Sequence, residues 1–151
     1  MGKHIPLIST RTIGPLGLVH LPRLWLKMRL AAKGMLNEEY RAGEGGFDGV
    51  LLDSLGIASG AAVAFIKASQ PSYLAFEDWV KENATPQSLT SEAIEALNQR
   101  ILTFPKPEPM RTESLEFIGL PPSDKEWHGT DLNDLDDWHG LHLALLDQTQ
   151  D

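Results

Sequence analysis

Apolar residues recur at spacings of three and four along most of this chain. Nowhere do they alternate with polar residues for long enough to make a strand. Pro22 stands where a helix favours proline, in the first turn of a segment running from Leu21 to about Gly34. Leu24, Trp25, Met28, Ala31 and Ala32 make its main apolar arc. Leu26 and Leu30 make a second ridge, flanked by Arg23 with Lys27 and by Arg29 with Lys33. A helix apolar on two sides is covered on two sides, which makes this the central helix. Phe47 to Leu55 reads as a short helix stopped by Gly56. Ser59 is placed to cap Ala61 to Ala68, which is apolar almost all round and is therefore expected to be buried. Ser72 caps Tyr73 to Asn83, where Tyr73, Phe76 and Val80 share a face. Thr90 precedes an acidic first turn at Ser91-Glu92. Ile94, Leu97 and Ile101 form the stripe of that helix, with Arg100 in the last turn, where the helix dipole favours a cation.

The rest of the chain breaks these patterns. Met1 to Leu18 contains Pro6, Gly14, Pro15 and Gly17 and has no period, so an irregular course is expected. Asn37 to Gly46 is a polar loop. Three alternate prolines in Phe104-Pro105-Lys106-Pro107-Glu108-Pro109 exclude a helix and predict an extended connector. That connector divides a main helical region, 1–104, from a C-terminal segment, 105–151, expected to pack back on it within one structural domain. The C-terminal segment offers a short element around Glu113 to Ile118 and a turn at Gly119-Leu120-Pro121-Pro122. Ser123 with Glu126 then matches a capping box, and a last helix follows from about Asn133 to Leu146. The fold class is all-α, a compact bundle of five or six helices.

Composition narrows the classes. At 151 residues the chain suits one domain and buries a core without staples. The absence of cysteine excludes disulfides, thiolate metal sites and a cysteine nucleophile. There is no apolar leader ending in small residues and no run long enough to span a bilayer. A soluble cytoplasmic protein that does not engage membranes is expected. The net charge of −8 argues against nucleic acid as a partner, because phosphate binding needs clustered cations. The charge is uneven. Met1 to Arg41 carries seven basic residues against Glu38 and Glu39, whereas Asp124 to Asp151 carries eight acids against Lys125. Opposite charge of this kind is expected to attract the two ends to each other.

The candidate chemistry lies in those two ends. Trp127 to His142 holds three of the five histidines, four aspartates and two of the four tryptophans. Asp136 and His139 are three apart, as are His139 and His142, so they share a helix face. A carboxylate and two imidazoles suit a divalent transition metal, although the zinc pattern of histidines four apart around a glutamate is missing. The competing explanation is structural: aspartates in a first turn stabilise the positive end of the helix, and a half-buried histidine packs and hydrogen-bonds. At the other end, His20 lies just before the central helix, and Arg23 and Lys27 lie one turn apart. First-turn amides with these cations suit a carboxylate or phosphate, and the same cations suit the acidic tail. The basic helix has split apolar faces, which disfavours a membrane anchor. Gly43-Glu44-Gly45-Gly46 lacks the following lysine of a phosphate-cradling loop, and no Gly-x-Ser-x-Gly occurs.

The run Ile13-Gly14-Pro15-Leu16-Gly17-Leu18-Val19-His20-Leu21-Pro22-Arg23, with Lys27 and Arg29, resembles the opening of a bacterial family catalogued only as a domain of unknown function, number 5069. Leu52 to Ile57, ending in Leu55-Gly56-Ile57, resembles a second signature of that family, as do Trp79-Val80 and Asn98. Leu26 departs from the pattern, in which an acid precedes the lysine. The resemblance implies a small all-helical bacterial protein and brings no activity with it.

Three functions follow as expectations. The first is binding of a small anionic metabolite by His20, Arg23 and Lys27, with His139 or His142 as general acid or base if the protein is an enzyme. No cofactor is required for that. The second is metal-dependent chemistry at Asp136, His139 and His142. The third is a non-enzymatic helical module that docks a protein partner, which an exposed apolar patch would favour.

Overall fold

The structure is a computed structural model, and it describes residues 2–122 and 125–147, the last by its backbone alone. Seven α-helices are present among the described residues: α1 (Leu21–Ala32), α2 (Gly46–Leu55), α3 (Ser59–Ser69), α4 (Tyr73–Asn83), α5 (Ser91–Leu102), α6 (Met110–Ile118) and α7 (Gly129–Asp147). A 3-10 turn, Pro86–Leu89, joins α4 to α5. Among the described residues no strand forms, only three isolated bridges. The expected all-α bundle is therefore what the chain makes. The short element near Glu113 is a full helix, which brings the number to seven. No single helix among the described residues is long and apolar enough to cross a membrane.

Helix α1 packs on α3 and α4. Its apolar arc, Leu24 and Met28 above all, joins Leu51, Leu55, Phe76 and Val80 in one buried cluster, which Leu97 and Ile101 of α5 complete. Each such side chain contributes about 1.5–3 kcal/mol by leaving water. The N-cap read at Ser72 is made, and Thr90, which precedes the acidic first turn, caps α5 in the same way. Ser72 Oγ accepts from the Ala75 amide at 3.2 Å and Thr90 Oγ1 from the Ala93 amide at 3.2 Å. Three expectations need correction. Helix α3 buries only Ala62 and Ile66 and leaves Val63 exposed. Its apolar look comes from alanines, which suit a helix and cost little to leave in water. Its Ser59 is also inside the helix, and its hydroxyl donates to the Gly43 carbonyl instead of capping. Helix α7 begins at Gly129, a turn earlier than expected, with Asp131 accepting from the His128 amide at 3.3 Å. Asp134, Asp136 and Asp137 thus lie in the body of the helix, beyond reach of its dipole. The capping box expected from Ser123 lies outside the described residues.

The segment before α1 is irregular in φ and ψ but tightly tied. Ile13 bridges Val19, and the His20 amide donates to the Thr10 carbonyl at 2.8 Å. Asn98 of α5 accepts from the Val19 amide at 2.9 Å and donates to the Gly17 carbonyl at 2.8 Å. Glu77 of α4 accepts from the Leu16 amide at 3.1 Å and from the Tyr73 hydroxyl at 2.7 Å. This strap therefore lies across α4 and α5, and at Gly14 it passes close against α4. A Cβ there would sit 2.6 Å from the Tyr73 ring and 2.7 Å from the Glu77 carboxylate.

The proline connector lies extended against Trp127–Gly129. Pro105 bridges His128, and the Gly129 amide donates to the Phe104 carbonyl at 2.8 Å. Helices α6 and α7 pack chiefly on each other. Their buried Leu115 and Leu132 lie outside the main core cluster.

Gly14→Ala is expected to destabilise the fold by about 1–3 kcal/mol, the cost of forcing atoms into a filled site. Gly49→Ala, in the interior of α2 where a Cβ meets nothing within 4 Å, is expected to stabilise it by about 1 kcal/mol. Urea unfolding of the two variants beside the parent checks both signs.

Candidate functional site

The three N-terminal cationic candidates lie along one edge of α1, and each faces a carboxylate. His20 precedes the helix in a left-handed conformation, φ 70°, which turns its ring into the protein. Its Nε2 lies 2.6 Å from Asp48 Oδ1 and its Nδ1 lies 3.0 Å from Thr10 Oγ1. Lys27 Nζ donates to Asp48 Oδ2 at 2.8 Å, and the Gly43 amide donates to the same oxygen at 2.9 Å. Burial alone would raise the Asp48 pKa. The hydrogen bond from His20, with the charge of Lys27, outweighs that and holds it down at about 2. Burial lowers the His20 pKa, against the opposing pull of Asp48. An ionised Asp48 only accepts, so His20 carries its proton on Nε2, and the Thr10 hydroxyl donates to Nδ1. Asp48 and Lys27 then balance as a single buried pair.

Arg23 is held as fully. Nη1 lies 2.5 Å from Asp137 Oδ2, 2.8 Å from the Pro6 carbonyl and 2.9 Å from the Ile8 carbonyl, and Nη2 lies 3.1 Å from Asp137 Oδ1. The Tyr40 hydroxyl donates to Asp137 Oδ1 at 2.7 Å, and burial beside that carboxylate raises its pKa. Arg11 pairs with Asp131 and Asp134. The acidic C-terminal helix thus does meet the basic N-terminal segment, through Arg11 and Arg23. Lys27 goes to Asp48 instead.

The second candidate group is spread out. Asp136 faces Lys106 at 3.4 Å and Ser114 at 3.1 Å, while its Oδ1 is buried without a partner. Burial raises its pKa against Lys106 and Ser114. His139 packs edge-on against Phe117, ring centres 5.0 Å apart, and lies 5.9 Å from the His142 ring. Among the described residues no three His, Asp or Glu side chains gather where one metal ion would reach them.

Thr10, His20 and Asp48 form a hydroxyl–imidazole–carboxylate row, the arrangement that activates a nucleophile. Here they are 0%, 2% and 1% exposed, so no substrate reaches the hydroxyl. An open groove of about 660 Å³ lies nearby on the strap and α5. Ile13, Val19, Ile94 and Leu102 line it with Asn98 and His128, and neither Thr10 nor His20 does.

The most open apolar surface belongs to α6 and α7. Half of the large exposed apolar side chains among the described residues fall there: Met110, Phe117, Trp138, Leu143, Leu145 and Leu146. Trp138, the largest of them, is 61% exposed.

Asp48 and Tyr40 escaped the sequence reading, although they complete the buried pairs. The one available signal for Asp48 was an acid near the start of a largely apolar helix that also carries Asp53. Tyr40 carried none. Asn98, noted only through the family resemblance, and Gly14, noted also as a breaker of the N-terminal segment, are strap anchors.

A family model described as Domain of unknown function (DUF5069) matches residues 6–137. No curated protein matches the chain.

Asp137→Asn is expected to cost about 3–5 kcal/mol, because it leaves Arg23 buried and uncompensated. Asp78→Asn, which removes the exposed Lys81 pair, is expected to stay within about 0.5 kcal/mol. Denaturant unfolding measures both. Acid is expected to weaken the fold in two stages. Because folding lowers the pKa of His20, the unfolded chain binds that proton more readily, and stability falls as pH drops below about 6.5. Asp48 adds a further loss between about pH 4 and 2, since its pKa is about 2 folded against an ordinary 3.8. Melting temperatures at pH 7.5 and 5 should show the first stage. His20→Asn, which tolerates the left-handed backbone, should flatten it.

Proposed function

This chain belongs to the DUF5069 family, and we propose that it is a non-enzymatic helical module that docks a partner on the outer face of its α6–α7 pair. The observation that carries this is the exposed apolar surface around Phe117, Trp138 and Leu145. A concentration of large apolar side chains on one face marks a contact site, where single scattered ones do not. The reading concerns this chain and not its family, since most of the face lies beyond residue 137, where the family match ends. The geometry of the charged candidates supports it from the other side. Each cation proposed for an anion is occupied by a carboxylate of the protein: His20 and Lys27 by Asp48, Arg23 by Asp137. A metabolite there would have to displace a buried ion pair, which costs several kcal/mol.

Placing a photo-crosslinking amino acid at position 138 is expected to give adducts in cells that Leu145→Glu abolishes. The same group at the exposed position 82 of α4 should give none. Equal labelling at both positions would sink the docking reading. Inorganic phosphate and citrate are expected to leave the melting temperature where sodium chloride of equal ionic strength leaves it. A rise that Arg23→Lys removes would favour the anion site.

A further inference from the structure

We propose that the open groove between the strap and α5 binds a small organic cation, an alkylammonium whose charged head meets Glu95 while its chain lies on the apolar floor. None of the side chains of the α6–α7 docking face lines this groove, so the proposal goes beyond that reading and stands apart from it.

The groove is one face of a helix laid beside an irregular segment. Ile94, Glu95, Asn98 and Leu102 share that face of α5, and the strap supplies Ile13 and Leu16 opposite them. A volume of about 660 Å³, lined mostly by apolar side chains with a few polar groups, is that of a small-molecule site. Ile13 is 56% exposed, a large apolar side chain that the fold leaves in water at the groove. The polar groups are unequally engaged. The Asn98 amide is committed to Val19 and Gly17. Among the described residues, the Glu95 carboxylate and the His128 ring have no hydrogen bond or ion pair.

Charge decides the class of ligand. Among the described residues, Arg11 is the only arginine or lysine that lines the groove, and Asp131 and Asp134 hold it. Two carboxylates against one guanidinium leave that end negative. Glu95 is the free charge on the α5 face. Arg100, further along α5, projects from the opposite side of the helix. The positive end of α5 is already answered by the Thr90 cap and by Glu92 in its first turn. A carboxylate or phosphate in this groove would meet acids at both places, whereas an ammonium brings three donors to them. At 1.5 Å per residue, Leu102 lies about 10 Å along the helix from Glu95, room for a medium-length alkyl chain. A single lysine side chain fills only a fraction of the volume, which favours a free amine over a lysine of a protein partner. The groove is open to water, so the head group gains what exposed charges gain, about 2- to 5-fold in affinity.

Amide NMR shifts of the full chain, titrated with hexylamine, hexanol and hexanoate, test this with three probes that share one alkyl chain. Hexylamine should shift the strap and α5 amides saturably and bind about 2- to 5-fold tighter than hexanol, with hexanoate weakest. Glu95→Gln should bring hexylamine down to the level of hexanol. Its side chain is exposed, so an unchanged melting temperature is expected beside that loss. Glu92→Gln removes the same charge from the same helix outside the groove lining, and should leave the order of the three probes as it is. Ile13→Ser should weaken all three several-fold, because it removes floor and not charge. No saturable shift at the strap or α5, or hexanoate bound as tightly as hexylamine, overturns the cation site. A hexylamine affinity that Glu95→Gln leaves unchanged, or that Glu92→Gln lowers equally, overturns it too, since the net charge of the chain would then be the attraction. Nα-acetyl-lysine methylamide bound as tightly as hexylamine overturns the free amine in favour of a lysine side chain.

Discussion

The structure depends on one constraint: the basic edge of α1 is buried, so each cation on it has to find a carboxylate. An isolated charge out of water costs several kcal/mol even after relaxation. Asp48 answers for Lys27 and holds the ring of His20. Asp137 answers for Arg23 and takes a third hydrogen bond from Tyr40. These two carboxylates come from α2 and α7, far apart in the chain. Satisfying α1 therefore determines where both helices sit. The carbonyls of Pro6 and Ile8 join the same arrangement through Arg23, which draws in the N-terminal segment.

Two kinds of attachment result. Helices α1 to α5 share one apolar cluster and are held mainly by what they exclude from water. The α6–α7 pair buries Leu115 and Leu132 apart from that cluster and is joined to the rest largely by polar contacts: Arg11 with Asp131 and Asp134, Arg23 with Asp137, and the Phe104–Gly129 backbone bond. Polar contacts specify position sharply because they fail when misaligned, whereas apolar packing tolerates repacking. The pair is thus set firmly in place while covering little apolar area. Its surplus apolar side chains stay on the outside, and that surplus is what makes a docking face.

Much of the local architecture was legible in the residues. The caps at Ser72 and Thr90, the stop at Gly56, the proline connector and the central place of α1 each follow from chemistry acting within a few residues. The attraction between the basic and acidic ends was legible as a bulk property. Its detail was not: nothing in the spacing of Arg23 and Lys27 says that one goes to α7 and the other to α2. Helix α3 misled because alanine counts as apolar in a pattern yet gains little from burial. The start of α7 misled because Gly129 and Thr130 are indifferent helix formers, and the Asp131 cap that supports them is visible only once the turn exists.

By itself, then, the sequence determined which stretches are helical, where they stop, that no cysteine chemistry is available and that charge is divided between the ends. These properties act over one or two turns or over the whole composition. The tertiary structure alone decided that the candidate cations are closed into ion pairs, that the hydroxyl–imidazole–carboxylate row is sealed from substrate, and that Trp138 and Leu145 of α7 face outward. Each of those depends on which groups from distant parts of the chain end up within about 3 Å of one another. Burial, which turns the same charge from a ligand-binding group into a structural one, is a property of the packed whole.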